Sequence, residues 1–298
     1  MAHPQIGIFA LGTLAHTYLE LDGVDGADPD AIVRAVAALD EPTTTMGGVN
    51  LVAGFRPEVW GSFAPDRTPA RLTGFDAPVV GPDGYTMPAT QHDVVLWIAG
   101  GAYDIVFDAA IEMIGALAPV AGLATEVEGW SYHRDRDLTG FEDGTENPPV
   151  AEAPATTLVP DGEPGAGGSV LLIQQWAHDA VAWTSLPVEE QERAMGRTKP
   201  DSVELDPRPE SSHVARTDQD DFGHIFRRNT AYGTVSDHGT MFVGFCAEQR
   251  PLATMLHSMA GIDGTRDELT RYSRPLTGAY YFVPSVDDLA AAAGVSGS

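Results

Sequence analysis

The chain has 298 residues, 43% of them hydrophobic and 8% aromatic, which is enough to bury one large core or two smaller ones and excludes a disordered or fibrous chain. Seventeen Lys and Arg against 43 Asp and Glu give a formal net charge of −26, a field that repels phosphate backbones and anionic lipid, so neither nucleic acid nor a membrane is expected as a partner. The one cysteine, Cys246, excludes an intrachain disulfide; it lies in the apolar run Met241 to Ala247 and reads as a small buried hydrophobe.

Ile6 to Leu14 is apolar but has no Lys or Arg before it, no twin arginine and no small-residue cleavage site, so a cytoplasmic protein is expected. No apolar run approaches the roughly 20 residues that span a bilayer. Residues 14–21 mix β-branched, aromatic and apolar side chains and predict a strand. Asp28-Pro29 then supplies an N-cap and a first-turn proline for a helix to about Leu39, with Ile32, Val33, Val36 and Leu39 on one face. A strand is predicted over residues 49–55, a Pro/Gly-rich connection over 57–88 carrying Trp60, Phe63 and Phe75, and a strand over 94–99. Val106, Ala109, Ala110, Met113, Ile114 and Leu117 recur at helical spacing and predict a helix over 103–117; residues 123–132 close the half as a strand.

The second half repeats the pattern after a Pro/Gly/Thr-rich loop over 154–168. Strands are predicted at 169–176, 241–247 and 278–284, and helices at 187–196 and 251–260. Residues 94–115 and 241–261 share a strand, a short polar break and a helix ending in Met-Ile-Gly or Met-Ala-Gly, a weak internal duplication. The expected fold is α+β: two tandem ferredoxin-like βαββαβ units, residues 1–150 and 151–298, each with helices on one face of an antiparallel sheet, together forming a dimeric α+β barrel. Exposed sheet edges would favour a homo-oligomer.

The chemistry is expected at Gly140-Phe141-Glu142-Asp143-Gly144-Thr145-Glu146-Asn147-Pro148, where two glycines and a terminal Asn-Pro force a non-repetitive backbone around a central acid. An acidic turn between two folded halves would also explain such a cluster. The string, however, resembles the signature of the dye-decolorizing peroxidases, a family of haem enzymes, at every fixed position, and three further elements follow it in order. Gly196-Arg197-Thr198-Lys199 resembles the element whose arginine pairs with a haem propionate. Ser211-Ser212-His213 through Arg216 resembles the Ser-His-x-x-Arg element that carries the proximal iron ligand. Arg227-Arg228-Asn229, followed by Tyr232-Gly233, resembles the Arg-x-Asn element of the distal side.

The resemblance, to the family's bacterial B-type branch, implies a haem b peroxidase. Hydrogen peroxide would be reduced and dyes, phenolics or similar small aromatic reductants oxidised through an oxo-ferryl species. His213 is implied as the iron ligand, Arg197 as a propionate partner, Asp143 as the proton shuttle and Arg227 with Asn229 as the groups that steady the departing charge. Arg228 leaves the register open by one residue; the two-residue spacing to Asn229 favours Arg227. For the acid behind His213, Asp267 is chosen over Asp263 and Glu268, although a helix-start acid explains it as well. The other eight histidines read as surface, turn or packing residues. No Cys-x-x-Cys-His occurs, so haem would be held non-covalently. Tyr280, Tyr281, Phe282, Phe245, Met255 and Leu256 are plausible walls for a flat apolar cofactor. Ala231 stands where the family commonly has proline, and the C-terminus lacks the Leu/Ile-rich tail that some relatives use to enter nanocompartments, so encapsulin cargo is not expected. A haem-handling protein is the alternative from another class, and a cofactor-free ferredoxin-like protein leaves His213 unexplained.

Overall fold

The computed structural model describes residues 2–39, 48–133 and 136–294; the end of the C-terminal tail lies outside them. The first half runs β1 (Ala15–Gly23), α1 (Pro29–Ala37), β2 (Val49–Phe55), α2 (Pro57–Phe63), β3 (Val79–Val80), β4 (Thr86–Met87), β5 (Val94–Gly100), α3 (Tyr103–Leu117) and β6 (Ala121–Trp130). The Asp28 side chain accepts the Asp30 N–H at 3.1 Å and so caps α1, with Pro29 in the first turn.

All seven residues of β5 are buried, and strand alternation explains why its run is continuously apolar. Val94, Leu96 and Ile98 pack under α1 and α3, while Val95, Trp97 and Ala99 face a second core.

The second half runs α4 (Ala153–Thr157), β7 (Ser169–His178), α5 (Ala180–Ser185), α6 (Val188–Met195), α7 (His213–Arg216), α8 (Gln219–Phe222), β8 (Phe226–Arg227), β9 (Thr230–Gly233), β10 (His238–Cys246), α9 (Gln249–Met259), β11 (Ser273–Pro275), β12 (Ala279–Val283) and α10 (Val286–Ala292). Strands β2, β5, β1 and β6 are neighbours in that order, all antiparallel. So are β12, β7, β10 and β9. β6 pairs with β9 at Gly129↔Tyr232 and Trp130↔Ala231, and β12 pairs with β2 at Phe282↔Phe55. The pairings therefore close a ring β1-β6-β9-β10-β7-β12-β2-β5, and its inside is filled by Tyr18, Trp97, Ile173, Val243, Phe245 and Tyr281. Closure pairs the outer edges of each half with one another and leaves the short β8 and β11 at the ends of the sheet order.

Four expectations need correction. The connection over 57–88 is not irregular: it holds α2, a 3-10 turn at Pro65–Arg67 and the β3–β4 hairpin. Pro57 presets the first helical turn, and Trp60, fully buried against Phe55 and Phe282 with ring centroids 5.3 and 5.9 Å away, gives α2 a tertiary reason to form. The loop over 154–168 begins with the one-turn helix α4. β6 starts two residues earlier than predicted, and β10 starts at His238. The two repeated segments do take the same form, β5 followed by α3 and β10 followed by α9. Among the described residues, no helix is long and apolar enough to cross a membrane.

Phe282 has no exposed surface and sits at the β12–β2 junction. Phe282→Ala should lower unfolding stability by about 3–5 kcal/mol, read as a shift of the urea midpoint at unchanged slope.

Candidate active site

The loop after β6 is closed on itself. The Asp137 N–H donates to the Phe141 carbonyl at 3.1 Å, the Gly140 N–H to the Asp137 carbonyl at 3.0 Å, and the Asn147 N–H to the Gly144 carbonyl at 2.9 Å. Gly140 and Gly144 take φ of +89° and +75°, the left-handed region where a side chain is strained, which explains both glycines of the motif. Phe141 is buried between Trp183, at 6.2 Å between ring centroids, and the Lys199 ammonium, 5.4 Å over its ring. This anchor leaves Asp143 on the wall of a cavity.

Arg227, on β8, lines the same cavity and is tied to the loop from behind. The Asn147 side chain accepts the Arg227 N–H at 2.8 Å and donates to the Arg227 carbonyl at 2.9 Å. The Arg227 guanidinium lies 3.8 Å from Asp143 Oδ1, close enough for charge attraction and too long for a hydrogen bond. Asn229 also lines the cavity; its Oδ1 accepts the Val243 N–H at 3.0 Å, so its NH2 is the donor left over. Arg228 points away. It donates to the carbonyls of Ile8 and Ala10, both at 2.7 Å, lies 5.0 Å over Trp97, and is held down to about 10 by burial. Strand alternation thus places Arg227, not Arg228, beside Asp143.

His213 opens α7. Its Nδ1 lies 2.7 Å from Asp267 Oδ2, and Asp267 is fully buried, its other oxygen accepting the Leu269 N–H at 2.9 Å. Of the three acids considered, Glu268 pairs instead with Arg271, and Asp263 makes no ion pair among the described residues. Nδ1 is therefore the protonated nitrogen, and Nε2 keeps its lone pair for a metal. No cluster of three or more His, Cys, Asp or Glu could hold an ion among the described residues. A metal at His213 would have to arrive with its own further ligands.

Arg197 forms ion pairs with Glu146, from the central loop, and with Glu204 at 2.8 Å, and donates to the Ser202 carbonyl at 3.0 Å. Among the described residues its buried Nε has no partner, nor has that of Arg227. The cavity measures about 1260 Å³ including the space open to solvent. One side is apolar, lined by Leu172, Phe242, Leu252, Met255, Leu256 and Met259. Of the predicted aromatic and aliphatic walls only Met255 and Leu256 belong here: Tyr281 and Phe245 fill the strand ring, Phe282 packs under the first-half helices, and Tyr280 packs on Phe75. An apolar slot, a histidine held at Nδ1 by a buried carboxylate and unpaired guanidinium N–H groups fit haem, a flat apolar group with carboxylates and a metal.

The sequence reading gave no role to two lining residues, His178 and Asp137, or to Asn147, which braces the wall from behind. Asn147 carried a signal, the fixed Asn of the motif, but its partner lies 80 residues away. His178, with Nε2 3.2 Å from Thr240 Oγ1, is pushed down to about 4 by burial and by His238, and so is neutral. Asp137 is pushed up to about 6 by burial first and by the charge of Asp143 second.

Comparison with known proteins agrees with this wall chemistry. The family described as Dyp-type peroxidase, C-terminal, matches residues 134–288. A dye-decolorizing peroxidase of Mycolicibacterium paratuberculosis is 35% identical over 273 residues, 88% of this chain and 75% of that protein. A haem complex of a Rhodococcus jostii DypB variant superposes with a TM-score of 0.84 at 33% identity, over 93% of this chain and 95% of that one. A deferrochelatase of Yersinia pestis is more distant, 27% identical over 238 residues, 66% of this chain and 54% of that protein.

Two measurements test the geometry of the haem-free chain. Asn147→Ala strands the Arg227 N–H and carbonyl and should cost about 1–3 kcal/mol in urea unfolding. Because the folded Asp137 value lies above its ordinary 3.8, this group costs stability as pH rises from 3.8 towards about 6. Asp137→Asn should remove that slope, and Asp143→Asn should lower the Asp137 titration seen by carboxyl ¹³C NMR.

Proposed function

The chain belongs to the dye-decolorizing peroxidase family and is a haem peroxidase that reduces hydrogen peroxide and oxidises reducing substrates, and we propose that Asp143, Arg227, Asn229 and His213 carry that activity. The observation that carries the assignment is the Asp143–Arg227 pair, 3.8 Å apart in the same cavity as a histidine held by a buried carboxylate.

Haem, when bound, supplies the iron at which peroxide is reduced and the two oxidising equivalents that donors remove one electron at a time. His213 Nε2 would hold the iron, and Asp267, accepting the Nδ1–H, would raise its basicity. The Asp143 carboxylate takes the proton from one peroxide oxygen and returns it to the other, the one that leaves as water. Arg227 and the Asn229 NH2 stabilise negative charge on the leaving oxygen while the O–O bond breaks. The Arg197 guanidinium pairs with a propionate, its unpartnered Nε supporting that role.

The haem is of the b type and non-covalent: Cys246 is outside the cavity wall and no thioether motif exists. The strand orders β6-β1-β5-β2 and β12-β7-β10-β9 support two ferredoxin-like units, residues 1–150 and 151–298, joined as one α+β barrel. The likeness to DypB supports the B-type branch, and a lone unpaired cysteine suits the cytoplasm.

A haem-handling role with incidental peroxidase activity is the second reading, favoured only by the deferrochelatase likeness. Mixing haem-loaded protein with one equivalent of peroxide in a stopped-flow spectrometer separates the two. The peroxidase reading expects a clean Soret change in wild type, slowed about 10²–10³-fold in Arg227→Leu and about 10²–10⁴-fold in Asp143→Ala. Bleaching of the wild type as the only response would transfer the assignment to haem handling.

A further inference from the structure

A second cleft opens where β6 meets β9, formed by neither the central loop nor the His213 segment. Tyr103 from α3, Trp130 from β6 and Tyr232 from β9 line it, together with Glu126, Glu128, Gln175 and the apolar Leu14 and Val127. It measures about 1130 Å³ with the space open to solvent, and among the described residues no Lys or Arg lines it. Glu128 accepts the Tyr103 hydroxyl; Glu126 is exposed and forms no ion pair among the described residues. The Tyr232 hydroxyl is buried, and its approach to Gln175 falls short of a hydrogen bond. Asp237 and Arg274 are close enough to act on that hydroxyl electrostatically.

Aromatic faces attract cations through the negative centre of the ring, and carboxylates beside them add to that attraction. A net charge of −26 raises the local concentration of cations around the whole molecule. Two lining carboxylates disfavour an anion in the same place. Three rings and two aliphatic side chains favour a ligand with a flat apolar body over a bare metal ion. We propose that this cleft binds small aromatic cations.

The cleft and the haem cavity share strand β7. Gln175 lines the cleft, while Gln174 and Trp176, on the opposite face of the strand, line the cavity. Resting on the peroxidase reading, the bound cation is a reducing substrate held one strand away from the reaction. Binding itself does not rest on that reading.

The test is calorimetric titration of the haem-loaded full chain with phenyltrimethylammonium, and with 1-naphthalenesulfonate as the anionic control. The cation should bind, more weakly as salt is raised, and the anion should not. The double variant Glu126→Gln/Glu128→Gln changes two exposed side chains and should weaken cation binding about tenfold, and Trp130→Leu about threefold, with the Soret band unmoved in both. In steady state the double variant should raise KM for a cationic aromatic donor and leave that for an anionic one unchanged. No cation binding, equal binding of the anion, or full binding by the double variant would overturn the site. Intact binding with no peroxidase activity towards any donor would uphold the site and overturn the peroxidase reading instead.

Discussion

Two hydrogen bonds between the Asn147 side chain and the backbone of Arg227 hold the cavity together. They cross the division between the halves: the acid comes from the loop that ends the first, the arginine and the histidine from the second. An amide that both donates and accepts fixes a strand in register more strictly than a side-chain ion pair, whose geometry is soft. Arg227 is thus positioned through its main chain, and its guanidinium is left 3.8 Å from Asp143 without being consumed by a hydrogen bond to it. Ring closure does the rest, because the β6–β9 and β12–β2 pairings set the two halves against each other.

A strongly acidic chain must ration its cations, and the four arginines near the cavity and its back wall are used differently. Arg228 supports the 3-10 turn at Ile6–Phe9 by donating to backbone carbonyls. Arg197 is braced by Glu146 and Glu204 with its buried Nε left over, and Arg136 reaches the carbonyls of Gly140 and Lys199, bracing the loop. Only Arg227 faces the cavity with a single, loosely placed counter-charge. The carboxylates divide in the same way. Asp267 is buried and spends both oxygens on His213 and Leu269, Asp137 is pushed towards the neutral form, and Asp143 stands at the wall.

Much of this was legible in the sequence. Continuous apolar runs gave the ends of β2, and helical spacing gave α3 to the residue, because in both the buried face is written in consecutive side chains. The motif residues fell into one cavity. What stayed hidden depends on long-range contacts: α2 forms on Trp60 packing against Phe282, more than 200 residues away, and the choice of Asp267 over its neighbours rests on one hydrogen bond across 54 residues. The aromatic walls went wrong for a local reason. Tyr280, Tyr281 and Phe282 alternate on β12, so adjacent rings serve different cores.

On the proposed assignment one histidine, His213, backed by Asp267, would hold the iron of a haem in the cavity lined by Asp143 and Arg227. Resonance Raman spectroscopy of the ferrous haem-loaded protein tests it directly through the iron–histidine stretch. The account predicts that the band is present in wild type, shifts to lower frequency in Asp267→Asn, disappears in His213→Gly and returns when imidazole is added to that variant. An unchanged band in His213→Gly would show that another residue holds the iron and would contradict the account.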